Sequence, residues 1–274
     1  MKLLINADDL GYTPVINHAI FDLHQKGRLL STSLLVNMHH SQEAIAGLRS
    51  YPDLNIGVHL NLTRGRPILP PKQIATLVGP GGEFWPTKRF YLRAVSGRIN
   101  NMEAEAELRT QIERLLDFGV LPTHLDTHSH WHILPHLRQL VERLAKRYTI
   151  PGIRQAALRR TLIPSSLWLN AVPRKNHPHN EMHITDYFLS LHQWMGPEGV
   201  PMNLFFRTRF HRLIARSNIT LEMVTHPGKL HDPEFPPDTL QTHQRQWEYD
   251  FLLSTRFDKW LEMMEAAISS YKAL

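Results

Sequence analysis

Residues 122–132 read Pro122-Thr123-His124-Leu125-Asp126-Thr127-His128-Ser129-His130-Trp131-His132. In an extended chain successive side chains alternate between faces. His124, Asp126, His128, His130 and His132 would then project to one side, a row of four imidazoles and one carboxylate. Such a row is costly to bury unless a cation or hydrogen bonds satisfy it. A divalent metal does so directly, and the stretch reads as a strand that delivers ligands to a site. The competing reading is a His-rich surface loop in a chain that holds 18 His. The even spacing behind a strand-like leader argues against it.

Working outward, apolar runs alternate with helical patterns. Lys2 to Ala7 is a short strand pattern that ends at Asp8-Asp9-Leu10-Gly11. Thr13 can cap a following helix, with Pro14 in its first turn, a stripe of Ile16, Ala19, Ile20 and Leu23, and Gly27 at its end. Thr32 to Asn37 gives a second strand, and a helix opens at Ser41 and closes near Tyr51-Pro52. Asn55 to Leu62 gives a third strand, which carries His59. Asn101 opens an amphipathic helix through Ala104, Leu108, Ile112, Leu115 and Leu116. The His-rich strand follows, then a helix over 135–148 and a short strand over 152–157. A further strand over 220–225 ends in His226-Pro227-Gly228, and helices over 239–254 and 259–271 finish the chain. Alternating strands and helices with no linker argue for one α/β domain over 1–274, built on a parallel sheet or barrel. Its irregular insertions lie at 63–98 and 158–201, with helices expected on either side of Gly196.

Composition narrows the chemistry. The chain has 274 residues, no cysteine and a formal charge of +6. Without thiols, any metal must be held by His and carboxylate. The cations are spread along the chain, with short groups at 154–160 and 207–216, and no nucleic-acid-binding signature accompanies them. Solvated helix faces explain them, and no nucleic-acid partner is expected. The first residues turn acidic too soon for a signal peptide, and no apolar run is long enough to span a bilayer. These features predict a cytoplasmic protein with no membrane partner.

Strand after strand ends in a titratable residue: Asp8 and Asp9, His59, His128, His226. In a parallel barrel all strand C-termini open on one face, where active sites are built. Tandem acids raise each other's pKa; a cation resolves the conflict, leaving one acid as ligand and the other as base. One carboxylate and two imidazoles suit a single catalytic divalent ion. Imidazole favours zinc or another transition metal, whereas carboxylate and water also suit magnesium or manganese.

Four segments, Asn6-Ala-Asp-Asp-Leu-Gly11, Gly57-Val-His-Leu-Asn-Leu-Thr63, Thr123 to His132 and His226-Pro-Gly228, together resemble the YdjC-like carbohydrate deacetylases. The resemblance implies a deformed TIM-type (β/α) barrel of about six to seven parallel strands, related to polysaccharide deacetylases. It implies a hydrolase that removes N-acetyl groups from amino sugars or chitooligosaccharides with one divalent metal, magnesium by family likeness. Carried onto this sequence, Asp9, His59 and His128 would be the metal ligands, Asp8 the catalytic base and His226 the residue assisting the leaving amine. His124 and Asp126 are expected to orient ligands from behind. His130, Trp131 and His132 are candidates for lining the substrate groove, as are Trp85, Trp168 and Trp194, although buried aromatics are more often core. His177, His179 and His183 read as solvated loop residues. The partner is a small carbohydrate; relatives of this kind are often homodimers, but no surface stripe here demands it. The alternatives are another barrel metal hydrolase, a phosphoesterase or amidohydrolase, and a carbohydrate-binding protein with an inactive site.

Overall fold

The computed structural model describes residues 1–154, 182–191, 219–234 and 240–274, with the backbone of 170–171. In chain order the elements are β1 (Lys2–Leu10), α1 (Pro14–Gln25), β2 (Ser31–Leu34), α2 (Ser41–Gly47), β3 (Asn55–Leu60), α3 (Thr87–Val95), α4 (Asn101–Asp117), β4 (His124–Thr127), α5 (Pro135–Arg147), β5 (Gly152–Ile153), β6 (Asn170–Ala171), β7 (Tyr187–Ser190), β8 (Thr220–Thr225), α6 (Leu240–Leu253), α7 (Thr255–Met263) and β9 (Ala267–Ser269).

The strands form one sheet in the order β5-β4-β3-β2-β1-β8-β7-β6, with β9 also pairing β1. Among the described residues every strand pairing is parallel except that of β6 with β7. The sheet curls like a barrel. The His183 amide donates to the Pro151 carbonyl at 2.7 Å, and Ile153 donates back to His183 at 3.3 Å, so the segments leading into β5 and β7 meet. This is the α/β barrel-like architecture the sequence predicts.

β1 lies in the middle of the order and is buried from Leu3 to Leu10, as expected of a parallel strand covered on both faces. α1 follows the predicted pattern. The Thr13 hydroxyl accepts from the Ile16 amide at 3.2 Å, and Ile16, Ala19, Ile20 and Leu23 are buried. In α4 Ala104, Leu108, Ile112 and Leu115 of the expected stripe are buried and Leu116 is half-buried, but Glu107 and Gln111 are buried too.

The differences lie at element ends. β4 stops at Thr127, and Ser129 and His130 take left-handed backbone angles in a 3-10 turn over 128–133. The alternating row expected through His132 therefore ends inside the strand. The last helix stops at Met263, and the chain adds β9 and a short 3-10 turn at Tyr271–Ala273. Within 63–98 the chain makes a 3-10 turn at Pro71–Gln73, a Val78–Phe84 bridge and α3. Most of the 158–201 insertion, with Trp168, His177, His179, Trp194 and Gly196, lies outside the described residues.

Candidate active site

β1 brings two acids to one place by breaking its own regularity. In a uniform strand Asp8 and Asp9 would face opposite ways. Here the β1–β2 register shifts between Ala7 and Leu10, and Asp9 sits in the left-handed region at φ 72°. Both carboxylates consequently approach the same imidazole. His59 Nε2 is 3.8 Å from Asp8 Oδ2 and 3.6 Å from Asp9 Oδ1.

β3 and β4 are in register at His59 and Asp126. This places the second His59 nitrogen against the next strand: Nδ1 donates to Asp126 Oδ1 at 2.8 Å. Burial alone would lower the His59 pKa, but Asp126 first, then Asp8 and Asp9, outweigh it and raise it to about 9. A group of carboxylates that stabilises an imidazolium is a site prepared for positive charge.

Arg154 stands just beyond β5 and is fully buried. Its Nη1 and Nη2 donate to Asp8 Oδ2 and Oδ1 at 2.8 and 2.7 Å. The same Nη2 lies 2.7 Å from Asp126 Oδ2, and Nε donates to Glu222 Oε1 at 2.8 Å. One guanidinium thus spans three carboxylates. Burial would raise the Asp8 carboxyl, but Arg154, with His59 and His226 behind it, draws it well below the usual carboxylate range. Asn6 and Ser33 complete the cradle: Asn6 donates to Asp8 at 2.9 Å, and Ser33 donates to Asp126 at 2.6 Å.

Donor atoms of Asp8, His59 and Asp126 all lie within 4.8 Å of one another, a cluster able to hold a metal. The hydrogen bonds sort its members. Both oxygens of Asp126 and both of Asp8 are engaged by neighbours. Asp9 differs: Oδ2 pairs with Arg245, while the buried Oδ1 has no hydrogen-bond partner among the described residues. Two ligands of one ion are roughly 3–3.5 Å apart when each bond is about 2.1 Å, and Asp9 Oδ1 and His59 Nε2 are close to that at 3.6 Å. The donor set therefore fits a divalent cation.

His128 opens the turn after β4, its ring edge-on to His59 with centroids 5.7 Å apart. Its Nδ1 is 2.8 Å from Thr63 Oγ1. Thr63 is fixed in turn by Asn61, whose Oδ1 accepts from the Thr63 and Arg64 amides at 3.0 Å each. Gln111 of α4 clamps Asn61 from behind, accepting from its amide at 2.9 Å and donating to its carbonyl at 2.7 Å. Desolvation first, and His59 among its neighbours, push the His128 pKa down to about 4 despite Asp9, leaving a neutral imidazole as a ligand requires. His226 follows β8. Its amide donates to Glu248 of α6 at 2.5 Å, and its Nε2 lies 3.8 Å from Asp8 Oδ2.

Other predicted residues lie elsewhere. His124 stacks on Tyr271 with centroids 3.9 Å apart and 11° between planes. Burial lowers its pKa to about 4. Trp131 is fully buried beside Phe90, so it presents no face to a sugar, and His132 is tied to Thr127. His130 packs edge-on to Phe188 at 5.4 Å. Trp85 lies against Arg89 and Arg93. Arg154, assigned from sequence to a solvated face, is instead the central buried cation. Glu222, an acid inside an apolar strand, and Arg154, a cation inside the short strand expected over 152–157, are the sequence signals for this cluster.

A parallel, barrel-like α/β protein with carboxylates, imidazoles and a buried guanidinium at its strand ends defines the class. Residues 2–263 match the family model described as YdjC-like protein, and the chain belongs to that family. It is similar to carbohydrate deacetylases: 39% identical over 151 residues in Halalkalibacterium halodurans, covering 55% of this chain and 62% of that one. Over longer spans, it is 30% identical over 262 residues to one from Oceanobacillus iheyensis, covering 96% and 100%. Another, from Vibrio cholerae, is 29% identical over 278 aligned positions, covering 100% and 96%. The match thus spans less than two thirds of the Halalkalibacterium relative but nearly all of the other two. Among solved structures, an Enterococcus faecalis chain that bears the description cellobiose-phosphate cleavage protein superposes with a TM-score of 0.80 and 26% identity, covering 99% of this chain and 97% of that one. Among the described residues no helix is long and apolar enough to cross a membrane.

Proposed function

We propose that this chain is a metal-dependent hydrolase that removes the N-acetyl group from an acetylated amino sugar or chitooligosaccharide. The observation that carries the reading is a buried Asp9 oxygen, without a hydrogen-bond partner among the described residues, 3.6 Å from His59 Nε2 and beside an Asp8 carboxylate held by Arg154. The names of the relatives support the substrate class.

Asp9, His59 and His128 would hold one divalent ion. Bound there, the ion supplies a Lewis acid and lowers the pKa of water at the site. Two imidazoles and a carboxylate suit zinc by ligand chemistry, whereas family likeness favours magnesium. Asp126 orients His59 through Nδ1, the supporting contact that ligating imidazoles need. Asp8, ionised and fixed by Arg154, accepts the proton of the attacking water. The new C–O bond forms at the acetamide carbonyl as the water proton moves to Asp8. His226, whose Nε2 lies 3.8 Å from Asp8 Oδ2, then donates a proton to the sugar nitrogen as the C–N bond breaks. Acetate and a free amine leave.

The test is acetate release from a panel of N-acetylated mono- and oligosaccharides, with and without chelator. A phosphorylated disaccharide belongs in the panel because of the Enterococcus neighbour's description. Chelator-sensitive acetate release supports the reading. Turnover of the phosphorylated sugar alone would replace it with the barrel phosphoesterase alternative.

A further inference from the structure

The C-terminal turn is tied to the catalytic face through the barrel interior. Tyr271 is fully buried, and its hydroxyl donates to Glu222 Oε2 at 2.8 Å. The other Glu222 oxygen accepts from Arg154 Nε at 2.8 Å, and Arg154 holds Asp8 and Asp126. An unbroken path of hydrogen bonds therefore runs from residue 271 to residue 8. The interior is cleared for it. A Cβ on Gly57 would lie 2.3 Å from His124 Nε2, and one on Gly152 would lie 2.7 Å from the Tyr271 ring. Two glycines, on β3 and β5, thus make room for the stack of His124 on Tyr271. The turn is also secured at its rim, where Lys2 Nζ donates to the Ala273 carbonyl at 2.7 Å and the Lys272 amide to Asn55 at 3.2 Å. Residue 271 lies beyond the segment that the family model matches, 2–263.

The chemistry gives this contact a role beyond filling space. Glu222 is a fully buried acid, and burial raises its pKa although Arg154 and Tyr271 oppose this. Its charge keeps Arg154 Nε engaged, and the Tyr271 hydroxyl satisfies the carboxylate oxygen that Arg154 does not reach. A buried carboxylate deprived of a donor turns toward another or takes up a proton. Either response frees the guanidinium to shift against Asp8.

We propose that Tyr271 is a positioning residue: its hydroxyl fixes Glu222, Glu222 fixes Arg154, and Arg154 holds the Asp8 carboxylate in its working orientation. This rests on the assignment of Asp8 as the base, so the test has one arm that needs no turnover. In Tyr271→Phe the ring and its stack remain while the donor is lost. kcat should fall about tenfold with KM changed less than about twofold. The second arm follows the Arg154 Nε–H proton by NMR, its signal identified by loss in Arg154→Lys. Solvent exchange should accelerate about tenfold or more in Tyr271→Phe, and Glu222→Gln should add little when combined with it. Wild-type exchange in Tyr271→Phe overturns the proposal, and so does faster exchange with wild-type kcat, which would leave a purely structural contact. If the wild-type chain releases no acetate, the Asp8 reading fails, and the exchange arm alone upholds or overturns the link from Tyr271 to Arg154.

Discussion

Arg154 grips Asp8 at both oxygens, at 2.8 and 2.7 Å, inside a fully buried cluster. A planar fork matches a carboxylate in a way that an ammonium does not. Arg154→Lys keeps the charge but loses the second contact, and kcat should fall about 100-fold, within the range attributed to a positioned acid or base. Arg154→Met leaves Asp8, Asp126 and Glu222 without their shared cation and should cost about 3–5 kcal/mol of stability. Acetate release and denaturant unfolding check the two outcomes separately.

Asp8 itself is engaged on both oxygens by Arg154, whereas one oxygen of Asp9 has no hydrogen bond among the described residues. Asp8→Asn should therefore bind metal near wild-type stoichiometry while turnover falls about 10²–10⁴-fold. Elemental analysis of the purified variant, set beside its acetate release, measures both. Loss of the metal would move Asp8 into the ligand set.

If His59 is a ligand, metal binding should depend on pH. With its pKa raised to about 9 by Asp126, Asp8 and Asp9, the metal-free protein carries His59 protonated at about pH 7.5, and an ion must displace that proton. Calorimetry in buffers of different ionisation enthalpy should find about one proton released per ion near pH 7.5, falling toward zero above pH 9.5 or so. The sign for folding is the reverse of a carboxylate's. The His59 contribution to metal-free stability is fully present below its ordinary value of 6.5 and is lost as pH rises through about 9. A metal-free protein that gained stability over that range would contradict the geometry.

Gly57 supports His124 without any side chain of its own. A methyl placed there would meet the His124 ring at 2.3 Å, and that ring is confined on its other side by Tyr271. Gly57→Ala should destabilise the fold by about 1–3 kcal/mol, the usual cost of overpacking. Urea unfolding would show it as a lower midpoint with an unchanged slope.

Much of this was legible in the sequence, and the boundary is physical. Strand-end periodicity located Asp8, Asp9, His59, His128 and His226 on one rim, because a parallel topology sends strand ends the same way. The alternation rule failed at Ser129 and His130, where the backbone turns left-handed and the period of two no longer applies. Nor could composition separate Arg154 from the cations that follow it. Its burial depends on Asp8, Asp126 and Glu222, three residues distant in sequence whose meeting is a tertiary fact. Glu107 and Gln111 were hidden for a related reason. They lie on the buried face of α4 but serve the loop after β3, where Glu107 accepts from the Ile68 and Leu69 amides at 3.0 and 2.9 Å.

The left-handed backbone at Asp9 has a consequence for anyone who would rebuild this chemistry elsewhere. Grafted onto an ordinary straight strand, neighbouring aspartates would part company, one entering the cavity and the other driven among the covering helices. The irregularity has to be transplanted together with the pair. Asparagine, which tolerates the same backbone angles, is then the replacement that can silence the Asp9 charge while leaving the bend in place.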